Sequence, residues 1–157
     1  MTNTPYVAVV GPAAPDDPMV LERAREAGRL LAERGYVVVT GGLAGVMAAA
    51  AAGVAEAGGT AVALLPGTDR TAASAGHSVV IATGMGEMRN ALLVRSVDAL
   101  IAVGGSWGTL SEMALAARTG VPVLAVGSWE LPEPGVLACA DVATAVDRVA
   151  ALITIGS

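Results

Sequence analysis

At 157 residues the chain has one domain's length, enough to bury a real core. It is 54% hydrophobic with a mean hydropathy of +0.65, yet only 3% aromatic and without Phe, so Ala, Val and Leu must build that core. The net charge of −5, from nine arginines and no lysine against fourteen acids, argues against binding to DNA or RNA, which needs a basic stripe.

No apolar run reaches the ~18–20 residues of a membrane span. The surplus apolar surface is therefore expected at a subunit interface, and a homodimer follows. No signal peptide is visible, because MTNTPYVAVV leads straight into a strand, so a cytoplasmic setting is expected. The single cysteine, Cys139, allows no intramolecular disulfide, and with one histidine, His77, no metal cluster is expected. Residues 1–157 read as one domain.

Tyr6 to Val10 is a near-continuous apolar run ending at Gly11-Pro12, the pattern of a buried parallel strand. After a polar loop, Ala13 to Asp17, a helix is expected over 18–34, with Pro18 in its first turn and apolar residues at helical spacing from Val20 to Leu31. Gly35 stops it, and Tyr36 to Thr40 is the second strand. A glycine turn follows, Gly41-Gly42-Leu43-Ala44-Gly45, then a helix over 46–57 that is apolar nearly all round. Thr60 to Leu65 is the third strand.

The stretch from Thr68 to Gly76 is small and polar and reads as a mobile loop able to fold over a ligand. Asp69 and Arg70 there are either substrate contacts or solvated loop charges. His77, at the start of a short strand over 78–82, is either a proton-transfer group or a structural histidine. A helix over about 87–96 carries Arg89, and Ala99 to Val103 is another buried strand. The turn Gly104-Gly105-Ser106-Trp107-Gly108-Thr109 follows, and the next helix is expected to carry Glu112 in its first turn and to run to Arg118. A strand from Val121 to Val126, a loop from Gly127 to Gly135 and a helix over about 141–152 complete the chain; the tail Thr154 to Ser157 carries no signal. Strands alternating with helical runs predict a doubly wound, mainly parallel α/β sheet with helices on both faces and a site at the C-terminal strand ends.

Two strand–glycine–helix corners at one sheet edge make an anion site. Unpaired N–H groups and the helix dipole attract phosphate, and glycines let it approach the backbone. Thr109 can cap the helix or bond a phosphate oxygen. Glu112 either complements the dipole or serves a hydrolase acting on a phosphorylated sugar. An anion held by two turns, Arg89 and Glu112 is the size of a nucleoside monophosphate. A dinucleotide fingerprint would follow the first strand, where the chain reads Gly11-Pro12-Ala13-Ala14. A P-loop is excluded, because no Gly-Lys-Ser/Thr exists.

These residues resemble the LOG ("lonely guy") proteins, whose hallmarks are a GGxxGLM turn, an M-H-x-R-K helix start and P-G-G-x-G-T-x-x-E. The chain has Gly41-Gly42-Leu43-Ala44-Gly45-Val46-Met47, Met88-Arg89-Asn90, and Gly105 to Glu112 with Gly108, Thr109 and Glu112 in register. The resemblance implies a Rossmann-like fold. It also implies a phosphoribohydrolase that cleaves the base–ribose bond of nucleoside 5′-monophosphates, with Arg89 and Glu112 as the catalytic pair. By the same resemblance Gly105, Gly108 and Thr109 cradle the phosphate, and Gly41, Gly42, Gly45, Met88, Asn90, Gly104, Ser106 and Trp107 are further candidates for holding the ligand. Trp107 either stacks on a base or pterin ring or packs under the loop.

The chain departs from that pattern. Asn90 replaces the lysine, Gly104 the proline, Ser106 a glycine and Ser111 an acid, and the histidine is missing. In these respects it is similar to the bacterial branch that includes molybdenum-cofactor carrier proteins. That similarity implies the alternative of a non-catalytic carrier, with molybdenum cofactor as cargo and no resident cofactor. Under either reading the partner is a small phosphorylated heterocycle rather than nucleic acid or membrane.

Overall fold

The computed structural model describes residues 3–155. Seven strands form one parallel sheet: β1 (Tyr6–Val10), β2 (Val37–Thr40), β3 (Ala61–Leu65), β4 (Val79–Ala82), β5 (Ala99–Val103), β6 (Val123–Val126) and β7 (Val136–Ala138). Their order across the sheet is β4-β3-β2-β1-β5-β6-β7. The order reverses between β1 and β5, which pair from Val7↔Ala99 to Val10↔Ala102. In an open α/β sheet the crevice outside the carboxyl ends of two such strands is where a ligand fits.

Among the described residues five α-helices cover the two faces: α1 (Pro18–Glu33), α2 (Val46–Glu56), α3 (Arg89–Arg95), α4 (Trp107–Thr119) and α5 (Val142–Ile155). Alternate residues of the central strands supply two cores. Val7, Val9 and Ile101 pack beneath α1, α2 and α5. Ala8, Val10, Leu100 and Ala102 face α3 and α4. The doubly wound α/β architecture expected from the strand–helix alternation is the one observed. No helix among the described residues is long and apolar enough to cross a membrane.

The local signals are of ordinary kinds. Asp17 caps α1 by accepting from the Met19 amide at 2.9 Å, and Pro18 occupies the first turn. One side of the apolar helix α2 is buried within the chain, at Val46, Ala50, Ala51, Gly53 and Val54. Gly28 of α1 and Gly53 of α2 let the two helices cross so closely that a Cβ on either would meet the other helix's backbone, at the Ala50 and Arg25 carbonyls. Arg25 also pairs with Glu56 across the same seam.

Several element ends shift by one to three residues from the sequence expectation, and three differences go further. First, α4 begins at Trp107, because Ser106 is its N-cap and accepts from the Thr109 amide at 3.2 Å. Glu112 therefore sits in the second turn, not the first, where the dipole of the helix end has largely faded. Second, the helix expected over 87–96 is a 3-10 turn at Gly86–Met88 followed by α3. Third, β7 follows directly on the Gly127–Gly135 loop, and its three residues are too few to leave a periodic signal. Of the tail at 154–157, the last two residues lie outside the described range.

Candidate functional site: a charged pair beneath an amide-lined corner

A cavity of about 350 Å³ opens at the β1/β5 crevice, lined by Gly11 and Ala13 after β1, Met47 of α2, Arg89 and Asn90 of α3, and the first turns of α4. From α4 it takes Ser106, Gly108, Thr109 and Glu112. The first-turn N–H groups of a helix have no intrahelical acceptor, and together with the dipole they favour an anion at this position.

Arg89 and Glu112 lie on the cavity wall and are only 8% and 7% exposed. Arg89 Nη1 stands 3.8 Å from Glu112 Oε1, an ion pair without a hydrogen bond. Arg89 Nη1 instead donates to Asn90 Oδ1 at 2.8 Å. Asn90 Nδ2 donates to Ser111 Oγ at 3.1 Å, and Ser111 donates to the Gly108 carbonyl at 2.7 Å. The chain of bonds runs from the buried guanidinium to the opening turn of α4. Arg89 Nε is buried and has no partner, which leaves one donor of the guanidinium unsatisfied.

Burial governs the charges of the pair. Desolvation pushes the Glu112 carboxyl up to about 7, with the Arg89 charge opposing. Desolvation likewise lowers the Arg89 guanidinium, and Glu112 partly restores it. A carboxyl that titrates near neutrality can give or take a proton or adjust its charge to an incoming anion.

The glycines after β2 stand beside the cavity and serve to pack it. A Cβ on Gly41 would come within 2.6 Å of Arg89 Nη1 and 2.8 Å of Met47 Sδ, so the bare backbone is the floor on which the guanidinium lies. Gly42 packs on Leu65 and Ala63, and Gly45 on the backbone of Pro12 and Ala13. The Val46 amide donates to the Pro12 carbonyl at 3.0 Å, locking the second corner to the first. Gly104 is buried with φ +70°, turned against Val20 and Pro12, and Gly105 lies under the Trp129 ring.

Met88 and Trp107 are outside this cavity. They line a neighbouring one of about 500 Å³ and are 70% and 79% exposed. Trp107 leans on Trp129, with ring centroids 5.4 Å apart and planes at 35°. Trp129 Nε1 donates to the Ser106 carbonyl at 3.0 Å, which fixes the α4 corner from below.

The loop from Thr68 to Gly76 is tied down. The Ser74 amide donates to the Gly42 carbonyl at 2.9 Å, and Asp69 caps a 3-10 turn at Arg70–Ala72. Asp69 and Arg70 are exposed and do not line the cavity. His77 bridges the loop to β2: its Nε2 lies 2.6 Å from Thr40 Oγ1 and its Nδ1 lies 3.0 Å from the Ser74 carbonyl. A carbonyl only accepts, so Nδ1 carries the proton and Nε2 accepts from the Thr40 hydroxyl. This bonding is structural.

Sequence reasoning missed the first corner. Gly11 and Ala13 line the cavity, as do Pro66, Gly86 and Glu87. The signal was present in the position of β1: a wholly apolar strand belongs at the sheet centre, so its Gly-Pro end falls at the switch point. Among the described residues no group of three or more His, Cys, Asp and Glu side chains is arranged to hold a metal ion.

Known proteins resemble the chain over most of its length. An uncharacterised protein of Archaeoglobus fulgidus is 40% identical over 85% of this chain and 93% of its own. The molybdenum cofactor binding protein of Rippkaea orientalis superposes with a TM-score of 0.92 at 31% identity, over 98% of this chain and 99% of that one. The Moco carrier protein of Chlamydomonas reinhardtii does so with a TM-score of 0.90 at 35% identity, over 98% and 99%. The model of the SLOG cluster4 family matches residues 4–150, and the chain belongs to that family.

Proposed function

We propose that this protein is a carrier that binds a phosphorylated pterin of the molybdenum-cofactor type and releases it unchanged. The observation that carries the reading is the cavity's donor set, the first-turn amides of α4 beside a buried arginine with one unpartnered N–H. Such a set holds an anion. The likeness to molybdenum-cofactor carriers over nearly the whole chain supports a pterin as the body attached to that phosphate. In this reading Ser106, Gly108 and Thr109 meet the phosphate, Arg89 supplies the positive charge, and Asn90 holds Arg89 in place. Gly41, Gly42, Gly45, Gly104 and Gly105 shape the walls. The neutral Asn90–Ser111 pair stands where the LOG pattern has a lysine and an acid, which suits holding better than cleaving. A one-domain, homodimeric, cytoplasmic protein belongs to the same proposal, and sedimentation at micromolar concentration tests the dimer.

The test is incubation with molybdenum cofactor released from a molybdoenzyme, followed by gel filtration and pterin fluorescence. Stoichiometric, unaltered pterin in the protein peak is expected, and its absence overturns the reading.

Glu112 favours a second reading, a nucleoside 5′-monophosphate phosphoribohydrolase. Its carboxyl is pushed up to about 7 and lies one turn from the amide corner. Breaking an N-glycosidic bond builds positive charge on C1′, which a carboxylate stabilises. Incubation with AMP decides: free adenine that disappears in Glu112→Gln supports hydrolysis, and intact AMP excludes it.

A further inference from the structure

The cavity at the β1/β5 crevice has a neighbour on the other side of Gly108. The neighbouring cavity, lined by Met88, Trp107, Ser111 and Leu115, shares Glu87, Asn90 and Gly108 with it. The two adjoin along these residues, with the start of α4 and the Asn90–Ser111 bond between them. Their volumes, about 350 Å³ and about 500 Å³, together fall in the upper part of the range that ligand sites occupy, about 300–1,000 Å³.

We propose that the ligand spans both halves and is a dinucleotide: the phosphate of the heterocycle in the first cavity is joined, as a diphosphate, to a nucleoside lying in the second against Trp107. This rests on the carrier reading and deepens it. The residues lining the two cavities supply the groups such a molecule needs. Gly108 and the opening of α4 stand at the boundary, and Arg89 lines the first half, a donor set for phosphate. Glu87 also lines both halves. A carboxylate is a poor neighbour for phosphate and a good acceptor for a ribose diol.

The second half is lined by Trp107, which packs on Trp129, and by Met88. A braced, 79% exposed indole is a stacking platform for a base, and the Met88 thioether adapts to whichever ring is there. Among the described residues lining either half, Arg89 is the one cation, so the second half recognises its occupant by stacking and hydrogen bonds rather than by charge.

The test compares two probes by fluorescence titration and ultrafiltration: molybdenum cofactor, and the same cofactor joined to GMP through a diphosphate. Each is measured on the wild type and on Trp107→Ala, with circular dichroism to verify folding. The conjugate is expected to bind on the order of tenfold more tightly than the simple cofactor to the wild type. That preference should collapse toward one in Trp107→Ala. Equal binding by the wild type, or a preference that survives the substitution, overturns the second half while leaving the carrier reading intact. Failure of both probes to bind overturns both. A wild-type dimer in sedimentation that Trp107→Ala dissociates gives the second cavity to another copy of this chain, and also overturns the proposal.

Discussion

Arg89 and Glu112 face each other at 3.8 Å with no hydrogen bond between them, each less than one-tenth exposed. The separation leaves both groups free to engage a third partner, and burial makes their charges sensitive to its arrival. A pair closed into a bidentate bridge would have no such freedom. Two opposing effects meet here: desolvation disfavours both charges, and mutual attraction restores part of the loss.

Removing the arginine is the direct check on this pair. Arg89→Ala should weaken AMP or cofactor binding at least tenfold, a loss of roughly 1.5–3 kcal/mol for a bond to a charged group. It also leaves the Glu112 carboxyl buried without its partner, so urea unfolding at pH 8 should lose on the order of 3 kcal/mol. Undiminished affinity in a folded Arg89→Ala protein removes Arg89 from the site.

The Glu112 carboxyl, pushed up to about 7 from an ordinary 4.5, binds its proton more tightly in the folded chain than in the unfolded one. Its contribution to stability is therefore complete below about 4.5 and is lost as pH rises through about 7. Binding of a phosphate should weaken over the same upper range, by at most about tenfold per pH unit for one proton. In Glu112→Gln both dependences should flatten. Titration of AMP affinity and urea midpoints from about pH 5.5 to 8.5 measures them, and identical slopes in the two proteins reject the assignment.

His77 acts with the opposite sign. Burial holds its imidazole below the usual 6.5, with the Ser74 carbonyl opposing. A base so depressed contributes stability that is present above 6.5 and lost as pH falls through its folded value. His77→Gln should remove this acid limb. It should cost about 1 kcal/mol at pH 8 through the lost bonds to Thr40 and Ser74. Thermal melts between pH 5 and pH 8 test it, and an unchanged acid limb excludes His77 as its source.

Two glycine substitutions separate site from scaffold. In Gly41→Ala the new methyl meets only the ends of Arg89 and Met47, which can move aside. Stability should fall by less than about 1 kcal/mol while ligand affinity drops several-fold, because the guanidinium is displaced. In Gly28→Ala the methyl meets the Ala50 backbone, which cannot yield without moving α2. That variant should lose about 3 kcal/mol or more in urea. Equal losses in the two would show that Gly41 is part of the scaffold alone.

The sequence by itself determined the alternation of buried strands and helices, the two glycine corners and the residue types gathered there. Those signals are local: apolar runs such as Ala99 to Val103, a proline at a helix start, a glycine after a strand. It did not determine the start of α4, because Ser106 and Thr109 are both good caps and only backbone geometry chooses between them. It did not reveal the role of Gly41, which depends on an arginine distant in the chain. Nor did it place Met88 and Trp107 in a cavity of their own.

Only the tertiary structure decided that the crevice lies between β1 and β5, which makes Gly11 and Ala13 part of the wall. It also decided that Arg89 and Glu112 are buried together, and so what their charges are near neutral pH. The physical reason is the same in each case. Strand order, burial and close approach depend on contacts between residues far apart in the chain, and a pattern read along the chain holds only the near ones.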